Sequence, residues 1–138
     1  TGNDFSIIDF RGELDRPSSE RMIKRSPLRD VAGMVRSFHY ASLVSLDAHT
    51  QDSPEVRSRR EVWARSWYGW VASRFLHAYL KAPATIGLVP TSRDDVRALL
   101  DAQLLEKAIY ELGVELDRAP GRVSVPLRGI LELLASGS

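Results

Sequence analysis

Apolar residues recur at helical spacing through most of the chain. Val31, Met34, Val35 and Phe38 step by three and four positions, with Ser42 on the same face, and predict a helix from about 27 to 49. Ser26-Pro27 marks its start, Ser as the N-cap and Pro at the first helical position, where a missing N–H costs nothing. Ser53-Pro54-Glu55 repeats that signal, and Glu55 complements the helix dipole. The helix it opens carries Val56, Trp63, Trp67, Trp70, Val71, Phe75 and Ala78 and ends near Pro83. A third start stands at Ser92, with Asp95 three residues on, close to a capping box. Its helix runs through Leu99, Leu100, Leu104, Ala108 and Leu112 toward Pro120-Gly121, and a last short helix spans Pro126 to Ala135.

Only the N-terminus departs from this period. Phe5 to Asp9 reads as a short β-strand, preceded by turn chemistry in Thr1-Gly2-Asn3-Asp4. A turn ahead of a strand is the second half of a hairpin, so the chain is expected to begin mid-hairpin. Residues 10–25 read as a loop rich in Arg, Ser and Glu, broken by Gly12 and Pro17. No internal repeat occurs and the linkers at 83–91 and 119–125 are short. The expectation is one mainly α unit over residues 1–138, with a short N-terminal strand.

Composition narrows the classes. With 43% hydrophobic and 27% charged residues the chain has a globular balance and no disorder signature. A net charge of +1 supplies no global field for nucleic acid or an anionic membrane. The absence of cysteine excludes disulfides, thiolate metal sites and cysteine nucleophiles. No basic-then-apolar leader and no membrane-length apolar run is present, so the expected location is cytoplasmic.

Few residues are candidates for chemistry. Asp9, at the mouth of the strand and ahead of a Gly-containing loop, suits a hard cation that bridges phosphates, or else caps that loop. On the third helix the main apolar stripe is Leu104, Leu105, Ala108, Ile109, Leu112 and Leu116. A flanking arc collects Val96, Leu100, Gln103, Lys107, Tyr110, Glu111 and Val114. That arc is either a Lys107–Glu111 surface pair or a polar pocket for a hydroxylated ligand. Trp63, Trp67 and Trp70 read as packing core rather than a sugar-stacking platform. Arg16, Arg21, Lys24, Arg25 and Arg29 form a basic cluster without interleaved aromatics, which reads as a solvated loop with local ion pairs rather than a phosphate or nucleic-acid contact. His39, His49 and His77 lie at no metal-ligand spacing and read as packing or surface residues. No nucleophile motif or Gly-rich phosphate loop occurs.

Three blocks carry a resemblance. FSIIDFRGEL, RPSSERMIKRSPLRDVAGMVRSFHYAS and LEKAIYELGVELDRAPGRVSVPLRGILELL together resemble the C-terminal part of bacterial maltokinases. The most specific blocks are S-P-L-R-D-V-A-G-M, L-E-K-A-x-Y-E-L and P-L-R-G-I-L. That family has the aminoglycoside-phosphotransferase fold, a relative of protein kinases, and is often fused to trehalose synthase. The resemblance implies a helical C-lobe and ATP-dependent phosphorylation of maltose to maltose 1-phosphate, with magnesium and ATP as cofactors. Asp9 would match a magnesium ligand, and Asp30 the helix carboxylate that supports the catalytic loop. Lys107, Tyr110 and Glu111 would face the sugar. Arg11 and Leu14 depart from the family's usual D-F-E-G-E-P, as does Gly113-Val114 from a bulkier pair. The family's H-G-D-x-H-x-G-Q loop, which carries the catalytic base, is absent from the chain and expected upstream of Thr1. The isolated chain is therefore expected to be inactive and, with its hairpin unpaired, to self-associate as a dimer. Maltose and a fused or associated trehalose synthase are the implied partners. The competing expectation is a non-catalytic helical interaction module.

Overall fold

The structure is a computed structural model that describes residues 22–47 and 52–136, together with Pro17 and Ser19. The expected strand at Phe5–Asp9, and Asp9 itself, lie outside the described residues. Those described are mainly helical and contain no strand. Four helices follow in order: α1 (Leu28–Asp47), α2 (Pro54–Lys81), α3 (Arg93–Arg118) and α4 (Ser124–Ser136). Short 3-10 turns at Pro83–Thr85 and Pro120–Arg122 precede the last two.

The start signals work as their chemistry requires. Ser26 Oγ accepts the Leu28 N–H at 3.3 Å, Ser53 Oγ that of Val56 and Ser92 Oγ that of Asp95, both at 3.4 Å. Each satisfies an orphan donor of a first turn, a contribution of about 1 kcal/mol per cap. α4 begins two residues ahead of the expected Pro126, which is tolerated because a first-turn N–H has no intrahelical acceptor to lose.

α1 is the central helix. Leu28, Val31, Ala32, Val35, Arg36, His39, Ser42 and Leu43 are all buried, a continuous stripe at three- and four-residue steps. α2, α3 and α4 all pack on it. Pairing of Phe38 with Phe75 and of His39 with Tyr68 sets α2 antiparallel to α1. Arg29–Glu106, Arg36–Glu111 and Tyr40–Glu115 advance together, so α3 runs parallel to α1. The apolar heart is Ala32, Val35, Ala72 and Leu104, with Tyr68, Phe75, Leu76, Leu100 and Leu133 packed around it.

Two expectations about facing are corrected. Trp63, Trp67 and Trp70 are not core: they are 76%, 44% and 67% exposed. The face of α2 that packs is Tyr68, Ala72 and Phe75, nearly opposite on the helix wheel. On α3, Leu104 and Ala108 are buried as expected, whereas Ile109 and Leu116 are more than half exposed. The buried side of α3 is rotated toward Glu111 and Glu115, because α1 offers Arg36 and Tyr40 as partners for those carboxylates.

Candidate functional site

The centre of the fold is polar. Arg36 is 1% exposed, and a guanidinium taken out of water at that depth must be paired. Its Nε and Nη2 both donate to Glu111 Oε2, at 3.1 and 2.6 Å. Its Nη1 lies 2.7 Å from His39 Nδ1. Because arginine can only donate, Nδ1 accepts, and the histidine carries its proton on Nε2. Nε2 in turn sits 2.9 Å from Glu132 Oε2, and Arg128 Nε donates to Glu132 Oε1 at 3.2 Å. Glu111, Arg36, His39, Glu132 and Arg128 thus form one relay that links α3, α1 and α4.

Gly129 makes room for it. A Cβ built there would stand 2.9 Å from Cζ of Arg36 and closer still to Nη1, and the guanidinium is fixed on three sides. Gly→Ala inside a helix ordinarily gains up to about 1 kcal/mol. Here the sign inverts: Gly129→Ala is expected to cost about 1–3 kcal/mol through overpacking against a charge that cannot retreat. Thermal melts of the two proteins check this, and an unchanged or raised Tm would show that Arg36 has space to move.

His39 is held below its ordinary value near 6.5, first by burial and then by the Arg36 cation, against a smaller opposing pull from Glu132. Protonating Nδ1 would set a donor against a donor and a cation against a cation. The unfolded chain therefore binds a proton that the native state refuses. Stability is full above about pH 6.5 and falls as the pH drops below it, until the native histidine itself titrates. The facing groups are Arg36, Glu132, Arg128 and Tyr68, whose hydroxyl is itself raised by burial. Urea melts at pH 7.5 and 5.5 should show a loss in the wild type that shrinks in His39→Gln. Equal losses in the two proteins would assign the effect elsewhere.

Glu111 faces inward to Arg36, yet both Arg36 bonds use Oε2, so Oε1 is left out of the fork. Lys107 and Tyr110 are half-buried, with the ammonium 4.7 Å from the centre of the tyrosine ring, a cation–π contact. One turn earlier, Gln103 Oε1 is buried with no hydrogen-bond partner among the described residues. A buried acceptor without a donor costs about 1–3 kcal/mol, and a ligand hydroxyl would remove that cost. Asp30 is exposed in the first turn of α1, where it complements the helix dipole. Asp9 lies outside the described residues, among which no group of three or more His, Asp or Glu side chains forms a metal site. No helix among the described residues is long and apolar enough to cross a membrane.

Sequence reasoning assigns no role to Arg36, Glu132 or Gly129 and reads His39 as a packing or surface residue. Arg36 and His39 do sit on the apolar face of α1, three residues apart, and that was the available signal. Their partners on α3 and α4 could not be read from spacing. No protein-family model matches the chain.

Proposed function

We propose that the chain is the helical lobe of a cytoplasmic, ATP-dependent kinase that phosphorylates maltose to maltose 1-phosphate, in trehalose and α-glucan metabolism. The observation that carries the reading is convergence. The segments that resemble maltokinases lie far apart in sequence, yet Arg36, Glu111 and Gly129 from those segments meet at one buried point.

On this reading Arg36 holds Glu111 by one oxygen and leaves the other for a sugar hydroxyl. Lys107 supplies donors, Tyr110 a ring face and a hydroxyl, and Gln103 a further acceptor. Asp9 would hold the magnesium that neutralises charge on the ATP phosphates. Asp30 would steady the catalytic loop, and the base would come from an H-G-D-x-H-x-G-Q segment outside these 138 residues.

Maltose affinity tests the sugar site. Lys107→Ala and Glu111→Gln, the latter keeping an acceptor for Arg36, are expected to weaken maltose binding by about tenfold to over a hundredfold. That is the ~1.5–3 kcal/mol of a hydrogen bond to a charged group. ATP affinity should change little. Titration calorimetry on the polypeptide in which this chain occurs decides it, and unchanged maltose binding in both variants would remove this arc from the site.

One observation favours a second reading, a non-catalytic helical interaction module: Trp63, Trp67 and Trp70 stand exposed on α2.

A further inference from the structure

We propose that the outer face of α2, with the groove between α1 and α2, docks an acidic amphipathic helix of a partner protein. The proposal uses no residue of the sugar-kinase site and stands or falls apart from it.

α2 is 28 residues long and has one buried side chain, Ala72. At 100° per residue, Arg59, Trp63, Trp67, Trp70, Arg74 and Lys81 fall within an arc of about 80° on the side away from the core. All six are exposed. From Arg59 to Lys81 the stripe runs about 33 Å along the helix. α2 carries six basic side chains against two carboxylates, Glu55 and Glu61, and neither carboxylate lies in the arc. Glu61 is taken by Arg57 at 4.0 Å on another side of the helix. Arg60 Nε is 2.5 Å from Asp52 Oδ2, a charge contact too poorly angled to satisfy that oxygen by hydrogen bonding. Arg59 and Arg74 make no ion pair among the described residues.

The stripe opens into a groove of about 640 Å³ lined by Trp63, Trp67, Arg59 and Arg60 on α2 and by Ser45 and Leu46 on α1. Cations therefore stand at its rim, and the α1 wall is apolar and hydroxyl-bearing. That arrangement sorts the candidate partners. A membrane-surface helix keeps cations and apolar residues on opposite faces, whereas here they share one. A nucleic-acid groove needs cations along its track to follow phosphates, and the α1 wall supplies none. Exposed Trp and Arg around an apolar recess are the composition of a protein–protein hot spot. No carboxylate lines the groove. Although Asp52 takes Arg60, Arg59 and Arg74 make no ion pair among the described residues, so carboxylates on the partner complement them. The stripe fits the apolar-and-acidic side of one helix.

The three tryptophans of the chain all lie on this face, so tryptophan fluorescence, excited to the red of the tyrosine band, reports on it alone. The probe is a synthetic helical peptide with Leu at i, i+3, i+4 and i+7 and Glu elsewhere, titrated into the full 138-residue chain. A saturable blue shift is expected, weakened by added salt and weakened at least tenfold by Arg59→Glu with Arg74→Glu or by Trp63→Ala. These positions are exposed, so unchanged circular dichroism is expected in each variant. Affinity that survives both charge reversals would overturn the proposal, as would the absence of any shift. So would a response to phosphatidylglycerol vesicles or to poly(U) in place of the peptide. A shift that grows with chain concentration alone would give the face to a second copy and overturn it too.

Discussion

Glu111→Ala is expected to lower the unfolding free energy by about 3–5 kcal/mol, the cost of leaving a buried charge without its partner. Arg36 is 1% exposed, and truncating Glu111 leaves its Nε and Nη2 without their acceptor. Its remaining contact, His39 Nδ1, is a neutral acceptor and does not balance the charge. Domains of this size are stable by only about 5–15 kcal/mol, so this one truncation removes a large share. Replacing both partners gives the contrast: Arg36→Met with Glu111→Leu fills the same volume without charge. It is expected to recover most of the loss, because the desolvation of both ions disappears with them. Glu115→Ala, which removes the acceptor of the 2.5 Å bond from Tyr40, should cost only about 1 kcal/mol, since the freed hydroxyl can turn toward solvent. Urea denaturation of the four proteins orders them. A double variant no better than Glu111→Ala would mean that the polar relay cannot be replaced by packing.

The second large effect is on turnover. If Asp9 holds the phosphate-bridging magnesium, Asp9→Asn keeps the shape of the side chain and removes its charge. Phosphoryl transfer depends on positioning and on charge stabilisation of the transferring group, so weakening the metal strikes the main contribution. Loss of one such electrostatic element typically costs on the order of 10²–10³-fold in kcat. The fold is expected to be retained, because Asn matches Asp in size and shape. The two predictions are read on different quantities: Glu111→Ala on the unfolding free energy, and Asp9→Asn on kcat.

Much of the architecture was legible because it is local. Pro and Ser at the helix starts, and runs of three- and four-residue spacing, fix elements from short-range sterics and orphan N–H groups. Which way a helix faces is not local. α2 has apolar residues on two sides, and spacing alone gave the tryptophans to the core. The smaller set of Tyr68, Ala72 and Phe75 won because Ala72 lets α2 close on α1. On α3 the same blindness took Ile109 and Leu116 as buried and Glu111 as a flank residue, since nothing in α3 announces an arginine on another helix. Glu111 nonetheless stands in the arc that spacing marks out, and it meets α1 by way of Arg36 rather than as a surface residue. Spacing makes His39 a packing or surface residue, but it is the hinge of a relay whose other members lie on α1, α3 and α4. Such a relay exists only once the helices are assembled.

The most direct test of the sugar-kinase reading is phosphorus NMR of the polypeptide in which this chain occurs, supplied with ATP, magnesium and maltose. The account predicts a maltose-dependent sugar 1-phosphate signal that grows as ATP is consumed, and a rate reduced by roughly 10²–10³-fold in Asp9→Asn at unchanged fold. No phosphorylated maltose from the wild type, or an undiminished rate in Asp9→Asn, would contradict it.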